Sequence, residues 1–253
     1  LYVENEGNER FVIDRKDVRP LLRSPKEVNG YLIPNLRTLC LYTKDPGNMT
    51  KKYIEHGEKM GLPTRPTLKS RRPWYALNEL EPSRVFLPKS WMERLYALIS
   101  REPALCDNRM YTVKPKGLSE ETLWLYLNSS VFLLTVELFC RRLGGAASDI
   151  MVEDYEQMPV PDLASIKIDF DPKELMNRVP LPYYEELKRD DRRRLDLAVL
   201  KAIGFERAEE LVDDLHKALV GAVEDRLVKA DRPLRSSKDQ SNSKEEIKDD
   251  QDN

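Results

Sequence analysis

Histidine is almost missing from this sequence: His56 and His216 are the only two in 253 residues. Cysteine is scarce as well, and Cys40, Cys106 and Cys140 form no C-x-x-C spacing. Two distant histidines and three isolated thiols exclude a zinc site by spacing. An odd, scattered set of cysteines fits reduced thiols packed as small core residues, not a disulfide frame. Glycine-rich phosphate loops and the nucleophile elbow are missing too, with no G-x-G-x-x-G, no G-x-x-x-x-G-K-[ST] and no G-x-S-x-G. Neither histidine has a convincing partner: His56 sits among charges in IEHGEK and His216 in DDLHKAL. The adjacent acids Asp190-Asp191 and Asp213-Asp214 diverge on a helix and read as solvated faces. No residue is assigned a catalytic or metal-binding role, and no cofactor is expected in this chain.

Long apolar runs are also lacking. The most apolar window, Leu123–Cys140, contains Asn128, Ser129, Ser130 and Glu137, so it reads as buried helix broken at Asn-Ser-Ser and no membrane is expected as a partner. The first residues are polar, with no secretory leader, and Leu1 in place of an initiator Met suggests a start in mid-protein. The expected compartment is the cytoplasm. The formal net charge is only −2, so the chain as a whole does not call for a polyanion; any such case must come from local clustering.

What is present divides into three regions. Residues 1–165 mix short apolar runs with prolines, residues 166–231 look helical, and residues 232–253 have almost no apolar content and are expected to be disordered. Arg10–Ile13, Leu36–Tyr42, Trp74–Leu77, Arg84–Leu87 and Arg109–Val113 are candidate strands, with Leu36–Tyr42 expected to be buried. A helix is expected from Asn48 to Met60, stopped by Gly61 and Pro63. A second follows the N-cap Ser119 to about Asn128, and a third runs to Leu143 before Gly144-Gly145. Further on, Leu195, Val199 and Ala202 share a helical face that Gly204 ends. Ala208, Leu211, Val212, Leu215, Leu219 and Val223 then define another helix. Strands and helices mingle without βα alternation. The expected fold class is α+β: an irregular mixed α/β recognition domain followed by a helical C-terminal hairpin.

Charge is concentrated in one stretch. From Arg65 to Lys116 there are eleven Lys/Arg against five Asp/Glu, so the remainder of the chain is acidic. Within it, KSRRPWYAL sets cations beside flat rings. A localised positive face attracts phosphates, and counterion release favours binding. Lys69, Arg71, Arg72, Lys114 and Lys116 are the candidate phosphate or groove contacts. Arginine's planar fork suits phosphate and the guanine edge alike. Trp74 and Tyr75 are candidate stacking groups, although alternation along a strand would turn one of the two inward. Asn108 and Arg109 are candidate base-edge contacts, since Asn suits adenine and Arg guanine, while Asn108 also fits a turn in CDNR. Asn128 reads as a helix terminator. An ordinary charged surface is the competing reading of the whole stretch.

The order of these pieces carries a resemblance. FVIDRKDVRPLLRSPKEVNGYLIPNLRTLCLY is similar to the segment that follows the catalytic domain in gamma-class adenine-N6 DNA methyltransferases of restriction–modification systems. KSRRPWYAL resembles their R-x-x-W-Y element, ETLWLYLNSSVFLL their helix ending in Asn-Ser, and MVEDYEQMPVPD their closing apolar-Pro-apolar-Pro step. The resemblance covers Phe11 to Asp162, and Arg192–Lys229 resembles the family's helical tail. It implies a two-part enzyme. One part binds S-adenosylmethionine and holds the flipped adenine with an Asn-Pro-Pro-aromatic tetrapeptide, which this chain lacks. The other recognises the target in double-stranded DNA. The chain is therefore expected to be the recognition part, without chemistry of its own. The implied partners are double-stranded DNA and a methyltransferase catalytic domain, in the same parent chain or beside it, with S-adenosylmethionine in that domain. The alternative is a protein–protein interaction scaffold built on the C-terminal amphipathic helices.

Overall fold

The computed structural model describes residues 1–142 and 147–228. The strands are β1 (Tyr2–Glu4), β2 (Arg10–Val12), β3 (Val18–Leu22), β4 (Leu32–Ile33), β5 (Leu39–Leu41), β6 (Ser83–Pro88), β7 (Ser90–Trp91), β8 (Leu98–Cys106), β9 (Met110–Val113), β10 (Arg141–Arg142) and β11 (Ser148–Asp149). The helices are α1 (Asn48–Lys59), α2 (Glu120–Leu127), α3 (Ser130–Phe139), α4 (Val152–Gln157), α5 (Pro172–Met176), α6 (Tyr183–Glu186), α7 (Asp190–Ala202) and α8 (Ala208–Val228). This is an α+β fold. The main sheet has the order β5-β3-β8-β6-β9, with β4 also paired to β8. A hairpin, β1-β2, and a small sheet, β10-β11-β7, lie apart from it.

The centre of the main sheet is buried on both faces, and strand alternation divides its side chains between two cores. Val85, Leu87, Ala97 and Ile99 face the larger core, which Trp124, Leu127, Leu133, Leu195 and Val223 fill from the helical side. Phe86 and Leu98 face the smaller core, with Leu22, Val28 and Ile33. The larger core runs across residue 165, so strands and C-terminal helices share one apolar interior.

Local sequence explains the helix ends. Ser119 caps α2 by accepting the Thr122 N–H at 3.0 Å. Gly204 has φ +96°, the left-handed residue that closes α7; its N–H donates to Lys201 O at 3.1 Å and the Phe205 N–H to Leu200 O at 3.0 Å. Buried Ala208, Val212, Leu219 and Val223 follow the expected stripe of α8, while Leu211 faces outward.

Three expectations need correction. Leu36–Tyr42 is not a buried strand: β5 covers only Leu39–Leu41 at the sheet edge, where its one partner β3 leaves it half exposed. Trp74–Leu77 forms no strand. The third helix stops at Phe139, because Cys140 turns extended (φ −66°, ψ 152°) and the chain enters β10. The expected stop at Gly144-Gly145 and the tail from 232 to 253 lie outside the described residues.

The Asn-Ser-Ser break is a structural joint. Asn128 Oδ1 accepts the Ala97 N–H at 3.0 Å, and its Nδ2 donates to Ala97 O at 3.2 Å and Trp124 O at 2.9 Å. The terminator thereby ties α2 to the backbone just before β8. Ser129 caps α3 through the Phe132 N–H. Ser130 donates from N (2.7 Å) and Oγ (2.6 Å) to the buried Asp196 carboxylate on α7.

Two buried ion clusters fasten the C-terminal helices. Arg192 donates to Glu186 Oε1 at 2.9 Å, to Tyr31 OH at 3.2 Å and to the Asn128 carbonyl. Arg178 joins through Glu186 at 2.5 Å and Asp191 at 2.6 Å. Burial alone would push the Glu186 carboxyl up, but hydrogen bonds and positive charge from Arg178 and Arg192 outweigh it and hold the group at about 2. The second cluster is Glu137 with Arg226, paired at 2.9 and 3.0 Å, while Trp91 Nε1 donates to the same carboxylate at 2.9 Å.

Because Glu186 titrates below an unfolded glutamate, its contribution is intact above the unfolded pKa of ~4.3 and is lost as pH falls toward 2. Glu186→Gln is expected to lower stability at pH 7 and to flatten the loss between pH 5 and 2.5, read by urea unfolding across that range. Arg226→Ala strips the buried Glu137 carboxylate of its ion-pair partner, with an expected cost of about 3–5 kcal/mol. Replacing both partners with Met is expected to cost much less, as measured by the same unfolding series.

Candidate nucleic-acid interface

The cationic, aromatic stretch is a loop wrapped on α1. Gly61, at φ +72°, ends α1, and Leu62–Thr64 makes a 3-10 turn. Backbone turns follow, with Lys69 N bonded to Arg65 O at 2.9 Å and Arg71 N to Leu68 O at 3.0 Å. Pro66 and Pro73 remove two ladder donors, and the rings find a helix instead of a neighbouring strand. Trp74 lies on Gly57: a Cβ there would come within 2.8 Å of its ring. Its Nε1 donates to Glu58 at 3.2 Å, and Tyr75 meets it edge-on at 5.9 Å. The expected inward–outward split between the two rings does not occur, because without a strand there is no alternation. Both are half-buried, Trp74 on α1 and Tyr75 against Trp74.

Lys69 is exposed and Arg71 half-buried, and neither has a carboxylate partner among the described residues. Arg72 Nη1 donates to the carbonyls of Lys69 (2.9 Å) and Arg71 (2.8 Å), fixing one corner of its fork. Residues 48–77 hold seven Lys/Arg against two Glu. Lys51, Lys52 and Lys59 on α1 belong to this set and lie outside the window that composition singled out; extending that window back through the helix would have found them.

Much of the remaining positive charge is consumed internally. Arg84 pairs with Glu120 at 3.0 Å and Glu121 at 3.2 Å. Lys89 lies 4.8 Å from the centre of the Tyr111 ring, and Arg94 donates to the Pro180 carbonyl. Lys114 pairs with Glu81 at 2.7 Å, both side chains exposed, and Lys116 is exposed without an ion pair among the described residues. Asn108 and Arg109 occupy the turn between β8 and β9, where Asp107 Oδ1 accepts the Arg109 N–H at 3.1 Å. That turn is fastened to Leu22 O and to the Lys89 N–H.

A cleft of about 520 Å³ lies nearby and is lined by none of the expected site residues. Lys16, Arg19, Tyr42 and Lys44 line it together with Glu79 and Glu81. Leu77 is shared with a second cleft that contains Arg71, Trp74 and Tyr75, and Glu81 carries Lys114. Arg71 and Lys114 are thus related only through Leu77 and Glu81 at the borders of these clefts, and Asn108 and Arg109 sit in a separate turn. Lys16, Arg19 and Lys44 carried no sequence signal, since only folding brings them together, and there Lys44 pairs with Glu79 at 2.9 Å, Lys16 with Asp17 at 3.7 Å, and Arg19 donates to the Lys16 and Val18 carbonyls.

Both histidines have partners, contrary to the sequence reading. His216 Nε2 lies 2.7 Å from Asp196 Oδ2, beside Ser130, and His56 Nε2 lies 3.1 Å from Glu9. Such contacts join distant segments and are invisible in local context. Among the described residues, no group of three or more His, Cys, Asp or Glu could hold a metal ion. No single described helix is long and apolar enough to cross a membrane; α2 and α3 suffice only as a pair bent by 61°. The α7–α8 hairpin spends its apolar face within the larger core, on Leu195, Val199, Leu219 and Val223.

A comparison with curated proteins gives no match. Among solved structures, the type IIG restriction endonuclease BpuSI is similar, with a TM-score of 0.55 at 16% identity. The alignment covers 86% of this chain and 27% of that one, so the likeness is one of fold, and the chain spans about a quarter of the length of its neighbour. The family described as type II methyltransferase M.Eco57I, C-terminal domain, matches residues 24–215, from the strand-bearing region through α7 into α8. With most of its length matched, the chain belongs to the family of type II methyltransferase C-terminal domains typified by M.Eco57I.

Proposed function

We propose that this chain is the target-recognition part of a site-specific DNA adenine-N6 methyltransferase. It grips duplex DNA and presents the target adenine to a catalytic domain outside this sequence, in the same parent chain or as a partner. That domain would bind S-adenosylmethionine. The observation that supports this reading is the gathering of positive charge on α1 and its wrapping loop, in a chain whose net charge is −2. Lys69 and Arg71 have no carboxylate to satisfy them there, and Arg72 keeps Nε and Nη2 without an acceptor among the described residues.

Division of labour makes physical sense. Taking an adenine out of the duplex costs on the order of a few kcal/mol, which contacts to the flanking backbone can offset. Phosphate contacts set register and base-edge contacts specify. Lys69, Arg71 and Arg72 are assigned to phosphates, with Lys114 and Lys116 continuing the strip. The Lys114–Glu81 pair is exposed and weak enough to exchange for a phosphate. Asn108 and Arg109 are assigned to base edges from their own turn.

Duplex binding is expected to weaken steeply with salt. Arg71→Ala with Arg72→Ala is expected to lower the slope of log K against log [salt] by roughly two, at ~0.9 per phosphate contact. Fluorescence anisotropy of a short duplex across a potassium chloride series measures it. An unchanged slope removes these arginines as phosphate contacts; no binding at low salt removes the DNA reading itself.

A further inference from the structure

Beside the cationic strip, α1, its wrapping loop, Asn5 and the β5 residues Cys40 and Leu41 line an open cleft of about 290 Å³. That is close to the lower end of the ~300–1,000 Å³ usual for small-ligand clefts, and too small for a peptide segment. Tyr53 and Ile54 line it from the helix, and Leu68, Arg71, Trp74 and Tyr75 from the loop. The aromatic wall is fixed in place: Gly57 admits the Trp74 ring, Glu58 holds its Nε1, and Tyr75 stands edge-on against it.

The polar groups at the cleft are mostly occupied. His56 and Asn5 both engage Glu9, at 3.1 and 2.9 Å. Among the cationic groups lining it, Arg71 is half-buried and has no carboxylate among the described residues. Flat apolar walls with one unpaired cation at their edge suit a planar ring that carries a negative group. Inorganic phosphate alone would leave the walls unused. A paired base cannot enter, because its faces are covered by its stacked neighbours.

The geometry points to a binding site for one unstacked nucleotide of a DNA strand, its base stacked on one ring of the Trp74–Tyr75 pair and its phosphate at Arg71. This rests on the duplex-binding reading and extends it, since it gives the domain a hold on DNA that is locally opened. Base–aromatic stacking is sequence-tolerant, so the site would favour distortion over a particular base.

The test compares the full chain on a paired duplex, on the same duplex with one unpaired adenosine, and on free dAMP. Stacking on a single base predicts about a tenfold preference for the unpaired-base duplex. It also predicts quenching of tryptophan emission by that duplex. The quenching would report Trp74, because Trp91 and Trp124 are 6% and 0% exposed. Leu68→Trp fills the cleft without removing a cation and is expected to bind both duplexes alike. Gly57→Ala, which pushes the Trp74 ring off the helix, provides a second variant should the first unfold. Paired-duplex binding by the wild type with no preference and no quenching would overturn the cleft assignment and leave the proposed function standing. Binding to neither duplex would overturn both. Binding of dAMP as tight as that of the unpaired-base duplex would overturn the assignment to a DNA strand.

Discussion

A guanidinium buried in a protein must have its donors answered, or the fold does not form around it. Arg192 meets that demand by reaching three separate parts of the chain: the Tyr31 hydroxyl near β4, the carbonyl of Asn128 at the end of α2, and the Glu186 carboxylate of α6. Removing any of these partners leaves charge or dipole stranded at 2% exposure. Asn128 then passes the constraint on, since its side chain holds both backbone groups of Ala97. Sheet, central helices and C-terminal helices are thus tied at one polar joint inside an apolar interior.

This joint explains why the C-terminal hairpin is part of the body of the domain. Two isolated helices would bury little, whereas here α8 lies on α3 and is pinned at its far end by Glu137 and Trp91. Most of the hairpin's apolar face is used in this packing. What remains available for contact is the charged periphery, above all α1 and the loop that wraps it. That unit is built differently from the centre. Its rings rest on a helix instead of sitting within a core, its prolines prevent strand pairing, and its cations have few carboxylates nearby. Rigid support below and unanswered charge above are the properties an anion-binding surface requires.

Much of the architecture was legible from local chemistry. Ser119 as a cap, Gly61 and Gly204 as stops, and the spacing of Ala208, Val212, Leu219 and Val223 each act within a turn or two of their own position, so the sequence displays them directly. The misreadings share one cause. Trp74–Leu77 has the apolar and aromatic content of a strand, but a strand needs a neighbour, and Trp74 had Gly57 to lie against. Leu36–Tyr42 reads as a buried strand, yet its place at the sheet edge depends on which partner β3 takes. His216 looked unpartnered because Asp196 lies on another helix. At the candidate interface, Lys69, Arg71 and Arg72 were visible as a run, whereas Lys16, Arg19 and Lys44 were not, because their proximity is created by the sheet.

By itself, then, the sequence determined the starts or stops of several helices at Ser119, Gly61 and Gly204, which residues are apolar enough to form the interior, and that positive charge gathers around one aromatic segment. These depend on the intrinsic preferences of neighbouring residues. Only the tertiary structure decided that Asn128 is a brace, that Trp74 packs on α1 with Tyr75 edge-on against it, and which cations find carboxylates among the described residues. Hydrogen bonds and ion pairs act over a few ångströms in space, and sequence separation says nothing about that distance once the chain has folded.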